Sequence, residues 1–319
     1  MPQLTEPANL PPAPFNSTPS IFPNTTLRQT LRLTQPAQTI RLRLSNAFGS
    51  TDLPITSVAI SVPANNTLGS ASIIPGTTTP LSFDGDASIL VPTGSLIVSD
   101  PITLPKQAGT TLTVDLYLES GQNGTDITSH PGSRTTSWMG WPDLLLPYLH
   151  TPHSPTTTLS LLNQAAGGNR LLHDSLGPNT LSRVDRDVLS HSRITHTIVF
   201  EGVNDIGTAS TSPTAQQIVG DRIIMSYKQI TTRLHAAGIK VIGATITPFG
   251  TPANASVVQP YSDPEREKTR QRVNTWIRDS AVFDGVVDFD RVARRDERPD
   301  LLRGEFDSGD HLHLNPRGY

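Results

Sequence analysis

The chain has 319 residues, a formal net charge of −3, 5% aromatic residues, 28 prolines and no cysteine. That length suits two domains or one large one with ample core. The absence of a basic stripe excludes the phosphate-binding surface of a nucleic-acid partner, and zero cysteine excludes disulfides, Cys-ligated zinc and a thiol nucleophile.

The opening MPQLTEPANLPPAPFN has no basic n-region followed by an apolar h-region, so no signal peptide is visible, and no run reaches membrane-span length. Five Asn-x-Ser/Thr sequons, at Asn16, Asn24, Asn65, Asn123 and Asn254, support a secreted glycoprotein. Residues 27–119 read as strands. Ile40, Leu42 and Leu44 alternate with Arg41 and Arg43, and Val58, Ile60 and Val62 alternate with small polar residues. Leu112, Val114, Leu116 and Leu118 repeat the pattern. Period two with turn residues between the runs predicts strands with one wet face, in an all-β, sandwich-like domain over 1–138.

Strand–helix–strand alternation follows in the second domain, 139–319, which predicts a parallel, doubly wound sheet. A helix begins near Trp141. Ile198, Val199 and Phe200 form an apolar strand running into Glu201-Gly202-Val203-Asn204-Asp205. Val219, Ile223, Tyr227, Ile230 and Leu234 share one helical face, and Gly238 caps that helix before a strand over Val241–Ile246. Residues 264–279 form another helix, with Val273, Trp276 and Ile277 facing inward, and VVDFD, 286–290, a last strand. Trp138, Trp141 and Trp276 suit packing better than sugar stacking.

Two local patterns carry chemistry. An Asn at the carboxyl end of a parallel strand can aim its side-chain N–H at a developing oxyanion, although an Asn-Asp turn that satisfies its own backbone reads the same way. Asp310-x-x-His313 sets a carboxylate where it can hold one ring nitrogen of a general-base histidine, although most such pairs are solvated surface residues. Asp205 reads as a brace for the turn that presents Asn204. His311 reads as solvated, and neither His311 with His313 nor His150 with His153 has the partners of a metal site.

Together with the Gly-rich turn NQAAGGNR, these patterns resemble the SGNH (GDSL-type) ester hydrolase superfamily. The resemblance covers residues 163–313 with three blocks in family order. It implies a three-layer, flavodoxin-like parallel-sheet α/β fold and acyl-ester hydrolysis without cofactor or metal. Gly168, after Gly167, and Asn204 would be the oxyanion donors, Gly202 and Asp205 their supports, and His313 the base held by Asp310. The implied partners are carbohydrate acyl or short-chain lipid esters, and the implied location is extracellular. The family's first block, Gly-Asp-Ser, supplies the nucleophile and should precede Asn163; it does not occur in this chain. Ser133, Ser137 and Ser175 lack its strand–turn–helix setting, so the nucleophile is unknown. The text near Met139–Trp141 reads as a junction missing the central first strand, and both ends read as incomplete. The expectation is an impaired hydrolase that folds poorly in its second half, or a non-catalytic carbohydrate- or acyl-ester-binding pseudoenzyme.

Overall fold

The computed structural model describes residues 3–5, 10–17, 19–104, 110–129, 141–151, 155–156, 158–175 and 177–319. Ser133, Ser137, Trp138, Met139 and His153 lie outside them, and so does most of the expected junction. Packing divides the chain into Met1–Gly167 and Gly168–Tyr319, whereas the sequence reading divides it at 138/139.

The first unit is strand-rich. Strands β1 (Thr25–Arg32), β2 (Ser57–Ser61), β3 (Thr79–Pro80) and β4 (Thr111–Leu118) form an antiparallel sheet in the order β1-β4-β2-β3. The alternating run after Gln38 breaks into Thr39–Ile40 and Arg43–Ser45, which pair with Ile102–Thr103 and Leu96–Val98. Val58, Ile60, Leu112 and Val114 are buried as the alternation requires. The wet face fails on β4, where Thr111 and Thr113 are also buried; this central strand pairs with β1 along its length and with β2 from Thr113 on. Helix α1 (Trp141–Leu149) closes this unit's described elements.

The second unit is α/β. Helix α2 (Thr180–Val184) precedes strand β5 (His196–Val199), helices α3 (Val203–Thr208) and α4 (Pro213–Ala236), strand β6 (Lys240–Ala244), helix α5 (Pro264–Asp279), strand β7 (Gly285–Val287) and helix α6 (Phe289–Ala293). The strands are parallel in the order β5-β6-β7, as strand–helix–strand connections demand. Ser212 caps α4 and Asp263 caps α5, each followed by a proline whose missing N–H costs nothing at a helix start. Val199 and Val241 of the sheet meet Ile223, Tyr227, Ile230 and Leu234 of α4 and Val273 and Ile277 of α5 in one core. Burying each such side chain contributes about 1.5–3 kcal/mol.

One strand prediction is corrected. The expected strand 286–290 ends at Val287, because Asp288 turns to cap α6 and takes Phe289 and Asp290 into that helix. Among the described helices none is long and apolar enough to cross a membrane.

Candidate active site

The carboxyl end of β5 delivers the polar groups. Gly202 stands at the N-terminus of α3 with φ 104°, a conformation that other residues adopt only with strain. A Cβ at that position would also lie 3.1 Å from the Ile246 side chain. The turn therefore requires glycine, and it starts α3 early enough to place Asn204 in its first turn.

Asn204 is held at both ends of its amide. Its Nδ2 donates to the Asn169 carbonyl at 2.9 Å, and its Oδ1 accepts from the Tyr261 hydroxyl at 3.2 Å. A carbonyl only accepts, so the NH2 group must face Asn169, which fixes the amide's orientation and leaves its second N–H uncommitted among the described residues. Asp205 is buried, and its two oxygens accept from the N–H groups of Leu171 and Leu172 at 2.8 and 3.0 Å. The carboxylate thus ties α3 to the chain that follows Gly168, where the sequence reading expected it to brace its own turn. Burial pushes this carboxyl up, against the lowering by both N–H groups. Gly168 is exposed, with φ 65°.

Behind this segment lies a buried polar cluster that sequence reasoning missed. Arg183 donates to the Asn169 side chain through Nε at 3.0 Å and Nη2 at 2.8 Å, to Asp187 at 3.0 Å and to Glu201 at 3.2 Å. Burial pushes the Glu201 carboxyl up to about 7; Arg183 opposes that rise and Asp205 adds to it.

The C-terminal hairpin carries two Asp–His pairs. His313 Nδ1 lies 2.5 Å from Asp310 Oδ2, and Asp310 Oδ1 accepts from the N–H groups of Leu312 and His313 and from the Ser308 hydroxyl. Burial pushes the Asp310 carboxyl up, but the His313 ring and the two N–H groups outweigh it and hold it below the usual carboxylate range. The His313 side chain is 67% exposed. His311, expected to be solvated, has a side chain only 15% exposed and pairs with Asp307 at 2.5 Å. Its backbone is left-handed, with φ 63°.

The other sequence candidates do not join this group. Ser175 is exposed, and the neighbouring Asp174 carboxylate is engaged by Asn179. The His150 ring contacts the Leu159 carbonyl and Gln35. Trp276 stacks on Tyr227 at 6.2 Å between ring centroids, as packing requires. Among the described residues no three His, Asp or Glu side chains gather as a metal site.

The parallel-sheet unit thus carries an Asn just past the carboxyl end of β5 and an Asp–His pair in its last hairpin. The profile of the GDSL-like Lipase/Acylhydrolase family matches residues 124–319, and the chain belongs to that family. Among solved structures, a GDSL-like lipase from Bacteroides thetaiotaomicron is 19% identical, over 44% of this chain and 62% of that one, with a TM-score of 0.33. A G-D-S-L family protein from Desulfitobacterium hafniense is 18% identical, over 44% and 66%, with a TM-score of 0.31. A peptidoglycan O-acetylesterase is 9% identical, over 99% and 77%, with a TM-score of 0.33. The chain spans less than two thirds of the length of the two bacterial family members. Comparison with curated proteins yields no match.

Proposed function

We propose that the second unit is built for ester hydrolysis by acyl transfer. Asn204 Nδ2–H and Gly168 N–H donate to the oxyanion, and His313, oriented by Asp310, moves the proton. The observation that carries this reading is the Asp310–His313 pair, whose carboxylate grips Nδ1 and leaves the opposite ring nitrogen for a nucleophile on an exposed imidazole. The Asn204 amide, turned with one N–H uncommitted, supports it. The nucleophilic serine of a complete form lies in a Gly-Asp-Ser block that this sequence does not contain, so the chain as it stands is an impaired esterase. The substrate class is a small-molecule or polysaccharide ester, with carbohydrate acyl esters ahead of short-chain lipid esters.

The same reading gives the second unit a three-layer fold without its central first strand, after a sandwich-like β domain. Among the described strands β5 ends the sheet order, and Ile198 and its register partner Ile242 are only half-buried where Val199 and Val241 are buried. An unpaired strand edge costs stability, so this unit folds less stably than an intact relative. All five sequon asparagines are exposed, which supports an extracellular protein.

The test is turnover of an aryl acetate by the full chain. With no serine to take the acyl group, we expect only slow hydrolysis above the buffer rate, in which water deprotonated by His313 adds to the ester carbonyl and expels the aryl alcohol, and we expect it to disappear in His313→Ala. The missing nucleophile block favours a second reading, a non-catalytic acyl-ester or carbohydrate binder. Ligand binding without turnover in either protein would establish that reading and refute the first.

A further inference from the structure

Between β6 and α5 the chain makes a closed loop from Thr251 to Ser262. Its ends are tied to each other, since Thr251 N–H donates to the Ser262 hydroxyl at 2.8 Å and Gln259 N–H donates to Thr251 Oγ1 at 2.9 Å. Such a loop is packed by its own side chains and acts as a unit. Arg266 fastens it to the end of α3, with donors on the carbonyls of Pro260 and Ala209, both at 2.8 Å.

Two side chains of this loop face the candidate machinery from opposite ends. Tyr261 donates its hydroxyl to Asn204 Oδ1 at 3.2 Å. Gln259 is 5% exposed; its Oε1 accepts from Tyr261 N–H at 3.2 Å and its Nε2 donates to the Asp310 carbonyl at 2.7 Å. The result is a relay that runs from Asn204 through the side chain and backbone N–H of Tyr261 to Gln259 and the main-chain carbonyl of Asp310, joining the strand end to the Asp–His hairpin. A second feature makes room for it. A Cβ on Gly207, one turn beyond Asn204 on α3, would lie 2.2 Å from two carbons of the Tyr261 ring. Only glycine at 207 lets that ring rest against the helix that carries Asn204. Phe249 backs the ring from its edge, with centroids 6.4 Å apart at 88°.

We propose that Tyr261 and Gln259 are positioning residues that fix the Asn204 amide and hold it in register with the Asp310–His313 pair. The inference rests on the esterase reading for its purpose, and its geometry stands without it. A hydroxyl bonded to Oδ1 does two things. It blocks rotation of the amide, and by polarising it makes the remaining Nδ2–H a stronger donor. Burial raises the Tyr261 hydroxyl's pKa, so it stays protonated and keeps donating. Gln259 carries the constraint onward, so a displacement of the hairpin reaches Asn204.

The experiment is NMR of the 15N-labelled full chain, following the Asn204 side-chain NH2 pair, assigned by its loss in Asn204→Asp. We expect Tyr261→Phe to displace the pair and speed its exchange with solvent, and Gly207→Ala, which pushes the ring off α3, to do the same. Gln259→Met should displace it less, and Tyr117→Phe in the first unit not at all. An Asn204 pair unmoved in both Tyr261→Phe and Gly207→Ala overturns the proposal. In a chain that hydrolyses aryl acetate, Tyr261→Phe should lower kcat about tenfold with KM little changed, as loss of a donor felt in the transition state requires. A raised KM with kcat intact overturns it too. A wild-type chain without turnover refutes the esterase reading, and the Asn204 resonances still decide this proposal.

Discussion

The two units bury polar groups by different chemistry. Among the described residues of Met1–Gly167, the buried polar side chains are all neutral, with Asn46, Ser99, Thr113 and Gln122 as examples. In Gly168–Tyr319 they include Arg183, Asp187, Asp205, Arg270 and Asp290. The difference follows from architecture. An antiparallel sheet spends its N–H groups on neighbouring strands, so its interior accepts amides that bridge leftover carbonyls. The parallel unit pairs its buried charges with one another or with N–H groups of other segments: Asp205 accepts from the N–H groups of Leu171 and Leu172, Asp187 from Arg183, and Asp290 from Arg270. Charges so placed need partners, and those partners make the second unit sensitive to both mutation and pH.

The largest expected effect comes from breaking the deepest of these pairs. Arg270 and Asp290 both have fully buried side chains, 2.5 Å apart, and Arg278 and Arg294 also reach Asp290. Asp290→Asn leaves Arg270 with Glu267 as its one carboxylate and sets a neutral amide among Arg270, Arg278 and Arg294, so it should cost about 3 kcal/mol in urea unfolding. Hydrogen exchange should show the loss in α4 and α5, with β4 still protected. Loss of protection spread equally over both units would erase the contrast between them.

Glu201 offers a pH-dependent test. Its carboxyl titrates at about 7 in the folded chain against an ordinary 4.5. The folded state therefore binds this proton more tightly than the unfolded state. Stability is highest below about pH 4.5 on this account and falls as pH rises through about 7. A change from 4.5 to about 7 is worth at most about 3 kcal/mol, with the opposing pull of Arg183 already included. Urea midpoints of the wild type should fall between pH 5 and pH 8, and Glu201→Gln should flatten that fall. An unchanged slope in the variant would assign the effect to another group.

The same contrast explains what was readable in the sequence. Helix α4 was legible because Val219, Ile223, Tyr227, Ile230 and Leu234 recur at helical spacing and each is buried. Helix α5 was legible because Val273, Trp276 and Ile277 recur at helical spacing, and Val273 and Ile277 are buried. Asn204, Asp310 and His313 showed themselves because each belongs to a pattern a few residues long. Tyr261 and Gln259 did not, since their partners Asn204 and Asp310 lie 57 and 51 residues away. Nothing local in VVQPYSD marks either residue. Asn169 could have been suspected from the family block it shares with Gly168, but Arg183 has no such context. His311 was misplaced because the sequence reading paired no carboxylate with it, although Asp307 stands four residues before it, and the strand 286–290 because Asp288-Phe289-Asp290 alternates like a strand although Asp288 caps a helix that takes in the other two.

The smallest effect is expected in the first unit, and its value lies in what it lacks. Asn46 is fully buried, with Nδ2 bonded to the carbonyl of Thr51 at 2.9 Å and of Val91 at 3.1 Å, while its Oδ1 accepts from Gln122 at 2.8 Å. Asn46→Ala removes these bonds, but Gln122 also donates to the Thr51 carbonyl at 2.9 Å and keeps that acceptor satisfied. The cost should therefore be about 1–2 kcal/mol, near the low end for an unsatisfied buried group. No charge is involved, so the loss should be the same at pH 5 and pH 8, the range over which Glu201→Gln changes the slope. If the cost of Asn46→Ala varied with pH, a titrating group would have to lie within reach of this amide bridge, and the division between a neutral unit and a charged one would fail.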